Sequence, residues 1–304
     1  MMTEYGSGTP GFGLVSVGLV MFLVLLAVVA VWLAWQGYVA FRLWARVREV
    51  AVVRWVETWA REQIETREWP LVGRLSPSKV AGLALLVGLS VVVALAVGFT
   101  EVLEDVLEGD GVAGIDQPAT RWLATHRDLW LTTTIRVVCG PPGVTVLAAV
   151  AVLTIAAAAR RSRSWAPVVF GLVGGFGMTL VLFTAKALVV RDRPPIPFAV
   201  INAKGFSFPS GHAAGIAVGV CLTAWMLTRW LIRWWTGRVV VWTVAIGVAA
   251  VMGFSRVYLG VHYVSDVLAG WLLGATWAGA VMVVGSWWLQ VTRRRDRVRT
   301  TANE

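Results

Sequence analysis

Apolar runs of roughly 18 or more residues with almost no charge recur along this chain from one end to the other, and each is long enough to cross a bilayer as a helix. No other feature constrains the fold as strongly. A hydrocarbon core leaves backbone N–H and C=O groups no solvent partner, so chains that cross it with segments this long do so as helices. Spans are expected at about 14–36, 80–100, 142–160, 166–190, 212–231, 239–256 and 266–289. With 58% of its 304 residues hydrophobic and 14% charged, the chain is not a pair of ordinary soluble domains. The expected fold is all-α: one polytopic bundle with a six-span core and one extra N-terminal span. Three segments follow: 1–78, the extra span plus an amphipathic helix; 79–290, the membrane core; and 291–304, a basic tail. The first run follows a leader without Lys or Arg, exceeds a usual signal-peptide core and precedes no clear small-residue cleavage site, so it reads as a retained span.

The formal charge of +10 reads as membrane topology rather than affinity for nucleic acid, because the basic residues alternate from side to side. One set of connections holds Arg42, Arg46, Arg48, Arg54, Arg61, Arg67, Arg74 and Lys79, then Arg160, Arg161 and Arg163, then Arg229, Arg233 and Arg238, and finally Arg293, Arg294, Arg295, Arg297 and Arg299. That side is expected to be cytoplasmic, which puts the N-terminus outside and the C-terminus inside a plasma membrane. Between Phe41 and Trp69 the apolar residues Trp44, Val47, Ala51, Trp55 and Trp59 recur at helical spacing. That segment is either an interfacial helix or a straight extension of the first span, and Pro70 ends it.

The remaining basic residues include Lys186, Arg193 and Arg256, which fall at span ends on the other side, where the orientation rule leaves cations scarce. Three short segments meet there. In KALVVRDRP, Lys186 and Arg193 are two helical turns apart, which places both on one face of a helix that Pro194 stops. In FPSGH, Ser210 is a natural N-cap, Gly211 allows close approach of a ligand, and the N–H groups of a helix start attract anions. In SRVYLGVHYVSD, Arg256 closes a span, Gly260 permits a turn, and His262 and Asp266 stand at i,i+4, where the carboxylate supports the imidazole. Each segment alone has an ordinary reading: a capped turn, a snorkelling cation, a stapled helix. Their conjunction on one side, with two of the three histidines, points to a site.

His212, His262 and Asp266 could also suggest a two-histidine, one-carboxylate metal site. Three fixed cations beside one carboxylate repel a divalent metal and attract a phosphate, so no metal and no cofactor are expected. Cys139 and Cys221 have no CxxC partner and imply neither a metal ribbon nor a disulfide framework.

In order and spacing, K-x6-RP, PSGH and SR-x5-H-x3-D resemble the type 2 phosphatidic acid phosphatase superfamily, over about Ala113 to Leu289. The resemblance implies a membrane lipid phosphatase in which His262 attacks phosphorus and forms a phosphohistidine. Asp266 would orient His262, and His212 would serve as general acid and then base. Lys186, Arg193, Ser210, Gly211 and Arg256 would hold the phosphoryl oxygens. It also implies a lipid phosphate as substrate partner: a polyprenyl diphosphate, phosphatidylglycerophosphate or phosphatidic acid. A phosphotransferase, a non-catalytic phosphate- or lipid-binding transporter and a haloperoxidase are the alternatives. In the connection 101–141, the stretch containing Trp122, Leu123, Trp130 and Leu131 is expected to lie on the membrane as a lid or substrate guide, with His126 solvated.

Overall fold

The computed structural model describes residues 13–49, 77–195 and 198–302. Nine α-helices cover most of them. They are α1 (Leu14–Glu49), α2 (Pro77–Glu108), α3 (Asp116–Thr125), α4 (Leu129–Val138), α5 (Pro141–Ser162), α6 (Ala166–Val189), α7 (Gly211–Met226), α8 (Trp235–Tyr258) and α9 (Val264–Ala302). A short 3-10 turn (Gly111–Ile115) precedes α3, and a π turn (Leu227–Leu231) extends α7. Among the described residues seven helical segments are long and apolar enough to cross a membrane: Leu14–Val39, Gly82–Glu108, Leu129–Ser162, Ala166–Val189, Gly211–Leu231, Trp235–Tyr258 and Val264–Thr292. The expected all-α, seven-span architecture is the observed one.

Several boundaries differ from expectation: α2 runs on to Glu108, through acids expected in the connection after it, and the third apolar segment begins at Leu129 rather than near 142. Helix α1 runs unbroken to Glu49, well beyond the expected end of the first span, as the straight-extension alternative required; the remainder of that segment, with Pro70, lies outside the described residues. Helix α6 stops at Val189, so Lys186 and Arg193 do not share a helix face. Val190 takes the left-handed conformation (φ 49°), its N–H caps the carbonyl of Lys186, and Arg193 lies in the extended loop beyond. Pro194 therefore follows the helix end rather than setting it.

Helix α7 is the axis of the bundle, packed against α5, α6, α8 and α9. Its small residues make that possible. Ala213, Ala214 and Ala217 are buried, and they face Gly270 and Gly274 of α9, where an added Cβ would collide with the Ser210 carbonyl at 2.7 Å and the Ala214 carbonyl at 2.5 Å. Membrane helices gain little from burying apolar surface in apolar lipid, so backbone approach through small residues is a main source of their adhesion.

Helix α1 leans on the outside of α8, with Leu26 over Gly247 and the Trp235 indole donating to the Leu33 carbonyl at 3.2 Å. Near its start the buried Ser16 hydroxyl donates to Asp128 at 2.5 Å, a polar tie in a setting that offers few other partners. Because successive spans run antiparallel, the C-terminal ends of α2, α6 and α8 and the N-terminal ends of α7 and α9 share one end of the bundle. The segment from Gly111 to Val138 is attached at that end.

Candidate active site

The starts of α7 and α9 are stitched together where the Ser210 N–H donates to the Asp266 carbonyl at 2.9 Å. Ser210 is the N-cap of α7 and its side chain accepts from the Ala213 N–H, so the first turn of α7 is fixed. On α9, the Asp266 carboxylate reaches back to the Tyr263 N–H at 2.9 Å, as an acid in a first helical turn does. His262 lies just before the helix, in a turn closed by Gly260. There φ is +71° and an added Cβ would strike the Phe198 carbonyl, so only glycine fits.

His262 Nδ1 is 3.3 Å from Asp266 Oδ2, and Nε2 is 3.2 Å from Arg193 Nη1. A guanidinium has only hydrogens to offer, so Nε2 is the acceptor and Nδ1 carries the proton towards Asp266. That tautomer leaves the Nε2 lone pair facing a cation, where an anion's phosphorus would be drawn. Burial pushes the His262 pKa below its ordinary value of 6.5; Asp266 pulls upward, while Arg193 and Lys186 push further down, and the net shift is downward. A downward shift favours the neutral ring at neutral pH.

The cations form two groups. Lys186 Nζ donates to the Phe206 carbonyl at 2.6 Å, and Arg193 donates to the carbonyls of Gly205 at 2.9 Å and Val261 at 2.7 Å. A Cβ at Gly211 would lie 3.9 Å from Lys186 Cε, so this lysine stands against the N-terminus of α7. Arg256 is buried on the other side and donates to the Cys139 carbonyl at 2.6 Å and to Ser255 Oγ at 3.0 Å. His212 has the Arg256 cation and the His262 imidazole as neighbours, and its buried Nε2 has no hydrogen-bond partner among the described residues. A buried polar atom left open is uncommon, and here it is available to a ligand oxygen.

Four further residues join the site from positions whose pairing sequence reasoning left unassigned. Arg191 Nη1 donates to Asp266 Oδ1 and to Ser265 Oγ, both at 2.7 Å, and its Nη2 donates to Asp116 Oδ2 at 2.7 Å. Asp116 also accepts from the Ser265 N–H at 3.0 Å and hydroxyl at 2.5 Å. Ser207 donates its hydroxyl to Asp266 Oδ2. Within 101–141, Leu123 and Leu131 are buried and Trp122 and Trp130 are exposed. His126 is exposed and stacks on Trp122 with ring centroids 4.4 Å apart.

From this polar end an apolar cavity of about 500 Å³ runs between α5, α7 and α8. Gly211 and His212 lie at its head, and Thr223 and Leu227 line its far end. Fifteen residues of helix separate His212 from Leu227, roughly 22 Å of depth. Gly215 and Gly219 face open space, with nothing within 4 Å of an added Cβ.

Residues 165–290 match the PAP2 superfamily. The chain is 38% identical over 89 residues to a Phosphatidylglycerophosphatase B of Bacillus subtilis, covering 29% of this chain and 43% of that protein. It is 30% identical over 134 residues to an Undecaprenyl-diphosphatase of Sulfolobus acidocaldarius, covering 38% of this chain and 60% of the relative. It is 34% identical over 138 residues to a Decaprenylphosphoryl-5-phosphoribose phosphatase of Mycobacterium tuberculosis, covering 44% and 69% respectively. The crystal structure of a transmembrane PAP2 type phosphatidylglycerolphosphate phosphatase from Bacillus subtilis superimposes with a TM-score of 0.54 at 28% identity, over 62% of this chain and 93% of that one.

Proposed function

This chain belongs to the PAP2 superfamily, and from that premise we propose that it is a metal-independent lipid phosphatase of the plasma membrane, working at the outer face through a phosphohistidine. The observation that carries the proposal is His262, with Asp266 behind Nδ1 and Arg193 donating to Nε2, beside cations at the head of an apolar cavity; a phosphate that takes over the Arg193 contact frees the Nε2 lone pair for attack. Phosphoryl transfer asks mainly for positioning and for charge around the equatorial oxygens. Lys186, Arg193, Arg256 and the first N–H groups of α7, at Gly211 and beyond, supply that charge. His262 Nε2 bonds to phosphorus as the bond to the lipid oxygen breaks, and a proton that His212 gains as the phosphate anion binds beside it passes to the departing oxygen. Neutral His212 then takes a proton from water, whose oxygen displaces His262 and leaves as inorganic phosphate. Ser210 holds the cradle by capping α7.

The cavity favours an amphiphile, with the phosphate at His262 and a hydrocarbon tail along Gly215 and Gly219. The names of the relatives include a lipid glycerophosphate and two polyprenyl compounds, and these two classes are the substrates proposed for this chain. Purified protein is expected to release phosphate from such lipids in excess EDTA and to be inhibited by vanadate, an analogue of five-coordinate phosphorus. Strict dependence on added divalent metal would refute the mechanism. Binding without turnover by well-folded protein would instead favour the transporter.

Gly219→Phe is expected to fill the cavity. Excluding two methylenes costs about 1.6 kcal/mol, so KM for a long-chain substrate rises roughly tenfold while a short-chain analogue is little affected. Equal effects on both would remove the tail from this cavity. The proposed orientation has its own readout: cysteine at exposed Asn202 reacts with an impermeant maleimide on intact cells, whereas cysteine at exposed Arg161 reacts only after permeabilisation. The reverse pattern would invert the topology.

A further inference from the structure

We infer that Asp116 and Arg191 are positioning residues for the catalytic pair, setting the orientation and the net charge of the carboxylate that Asp266 presents to His262. The inference rests on the reading of His262 as the nucleophile and extends it to two residues to which the three sequence motifs assign no role.

The geometry is a closed ring. Arg191 bridges Asp266 and Asp116 with separate nitrogens, both at 2.7 Å, and Ser265 hydrogen-bonds to Arg191 and to Asp116. Both carboxylates are sealed from solvent, at 0% and 1% exposure. Asp266 Oδ2 is engaged by Ser207, by the Tyr263 N–H and by His262, whereas Arg191 holds Oδ1. Rotation of the carboxylate away from His262 would break the Arg191 contact, so the guanidinium fixes the acceptor's angle. Tyr263 lies under Arg191, its ring 4.5 Å from the guanidinium carbon, and closes the remaining side.

The charges make Asp116 necessary. A guanidinium paired with Asp266 alone would neutralise it, leaving little field to stabilise positive charge on the imidazole. Asp116 shares the same guanidinium, so the trio carries a net charge of −1 beside His262. Burial pulls the Arg191 pKa down, yet Asp266 and Asp116 outweigh it and hold the group above its ordinary value. His262 is also faced by Arg193 from the loop, Lys186 from α6 and His212 from α7, the last beside Arg256 of α8. All of these remain in place when the trio is altered.

A purely structural ion trio would tolerate charge changes without moving the titration of His262, or would fail to fold. A positioning trio moves it in opposite directions. With three histidines in the chain, ring-nitrogen NMR of histidine-labelled full-length protein in micelles resolves His262, with His262→Asn for assignment. Asp116→Asn raises the trio to neutral, and the His262 midpoint is expected to fall by about one pH unit; Arg191→Gln lowers the trio to −2, and the midpoint is expected to rise by about as much. Arg191→Lys keeps the charge but loses the fork, so the midpoint stays near wild type while kcat falls and KM holds. Wild-type midpoints in both charge variants, or shifts in the same direction, would overturn the inference. So would failure to recover either charge variant folded, which would assign the trio to folding. The titration needs no turnover, so a wild-type protein that released no lipid phosphate would defeat the functional proposal without touching this result.

Discussion

His262→Ala is expected to lower kcat/KM for lipid phosphate hydrolysis by at least about 10⁴-fold, because the variant loses the atom proposed to bond to phosphorus. Neither other histidine replaces it. His126 is exposed and stacked on Trp122, and His212 sits on α7 on the far side of the pocket, with Arg256 beside it. The cations and the α7 N-terminus survive in the variant, so substrate still binds and KM changes little while kcat collapses. The pH profile of the wild type checks the same assignment. Protonation removes the Nε2 lone pair, so activity falls as pH drops through the pKa of His262. That pKa lies below 6.5 because burial disfavours the imidazolium, so the acid limb is expected below 6.5 rather than at it. Undiminished hydrolysis by His262→Ala would eliminate the phosphohistidine route. An acid limb above 6.5 would mean that another group, or a differently charged pocket, controls the step.

The parts of this site that were legible in the sequence are those whose geometry is local. A separation of four residues keeps His262 close to Asp266 along the chain even though His262 lies in the turn before α9 and not on the helix, and a Ser before an apolar helical run caps that helix wherever it packs. Span length and hydropathy likewise reveal the seven crossings, since the bilayer imposes both. What escaped depends on tertiary pairing. Asp116 is 149 residues from Ser265 and 75 from Arg191, and along the chain it is one more acid in an acidic connection. Arg191 falls in a stretch read as helical up to Pro194, whereas α6 ends at Val189. Once the helix stops there, the loop turns Arg191 towards the carboxylates and Arg193 towards His262. The proline suggested a later end, because it marks where a helix must have stopped and not where it does.

Gly270→Val tests whether the fold and the chemistry share one contact. The added Cβ would lie 2.7 Å from the Ser210 carbonyl and 2.9 Å from Ala213 Cβ, neither of which is the yielding tip of a flexible side chain. The first turn of α7 must therefore move away from α9, and the cost of such overpacking is typically about 1–3 kcal/mol of stability. The same movement strains the Ser210 N–H to Asp266 carbonyl bond and carries the N–H groups of α7 away from His262. A displacement of about 1 Å between phosphate cradle and nucleophile is enough for a roughly 100-fold loss of kcat/KM. Gly274→Val, one turn further from the site, meets the Ala214 carbonyl at 2.5 Å and Ala217 Cβ at 2.9 Å. It is expected to destabilise the protein comparably but to cost much less activity. Gly18→Ala on α1, whose Cβ meets nothing within 4 Å, is expected to change neither. Thermal unfolding in detergent and phosphate release, measured on all three variants, separate these outcomes. Equal losses of activity at positions 270 and 274 would mean that helix adhesion as a whole, and not the registry of Ser210 with Asp266, sets the distance across which phosphorus is attacked.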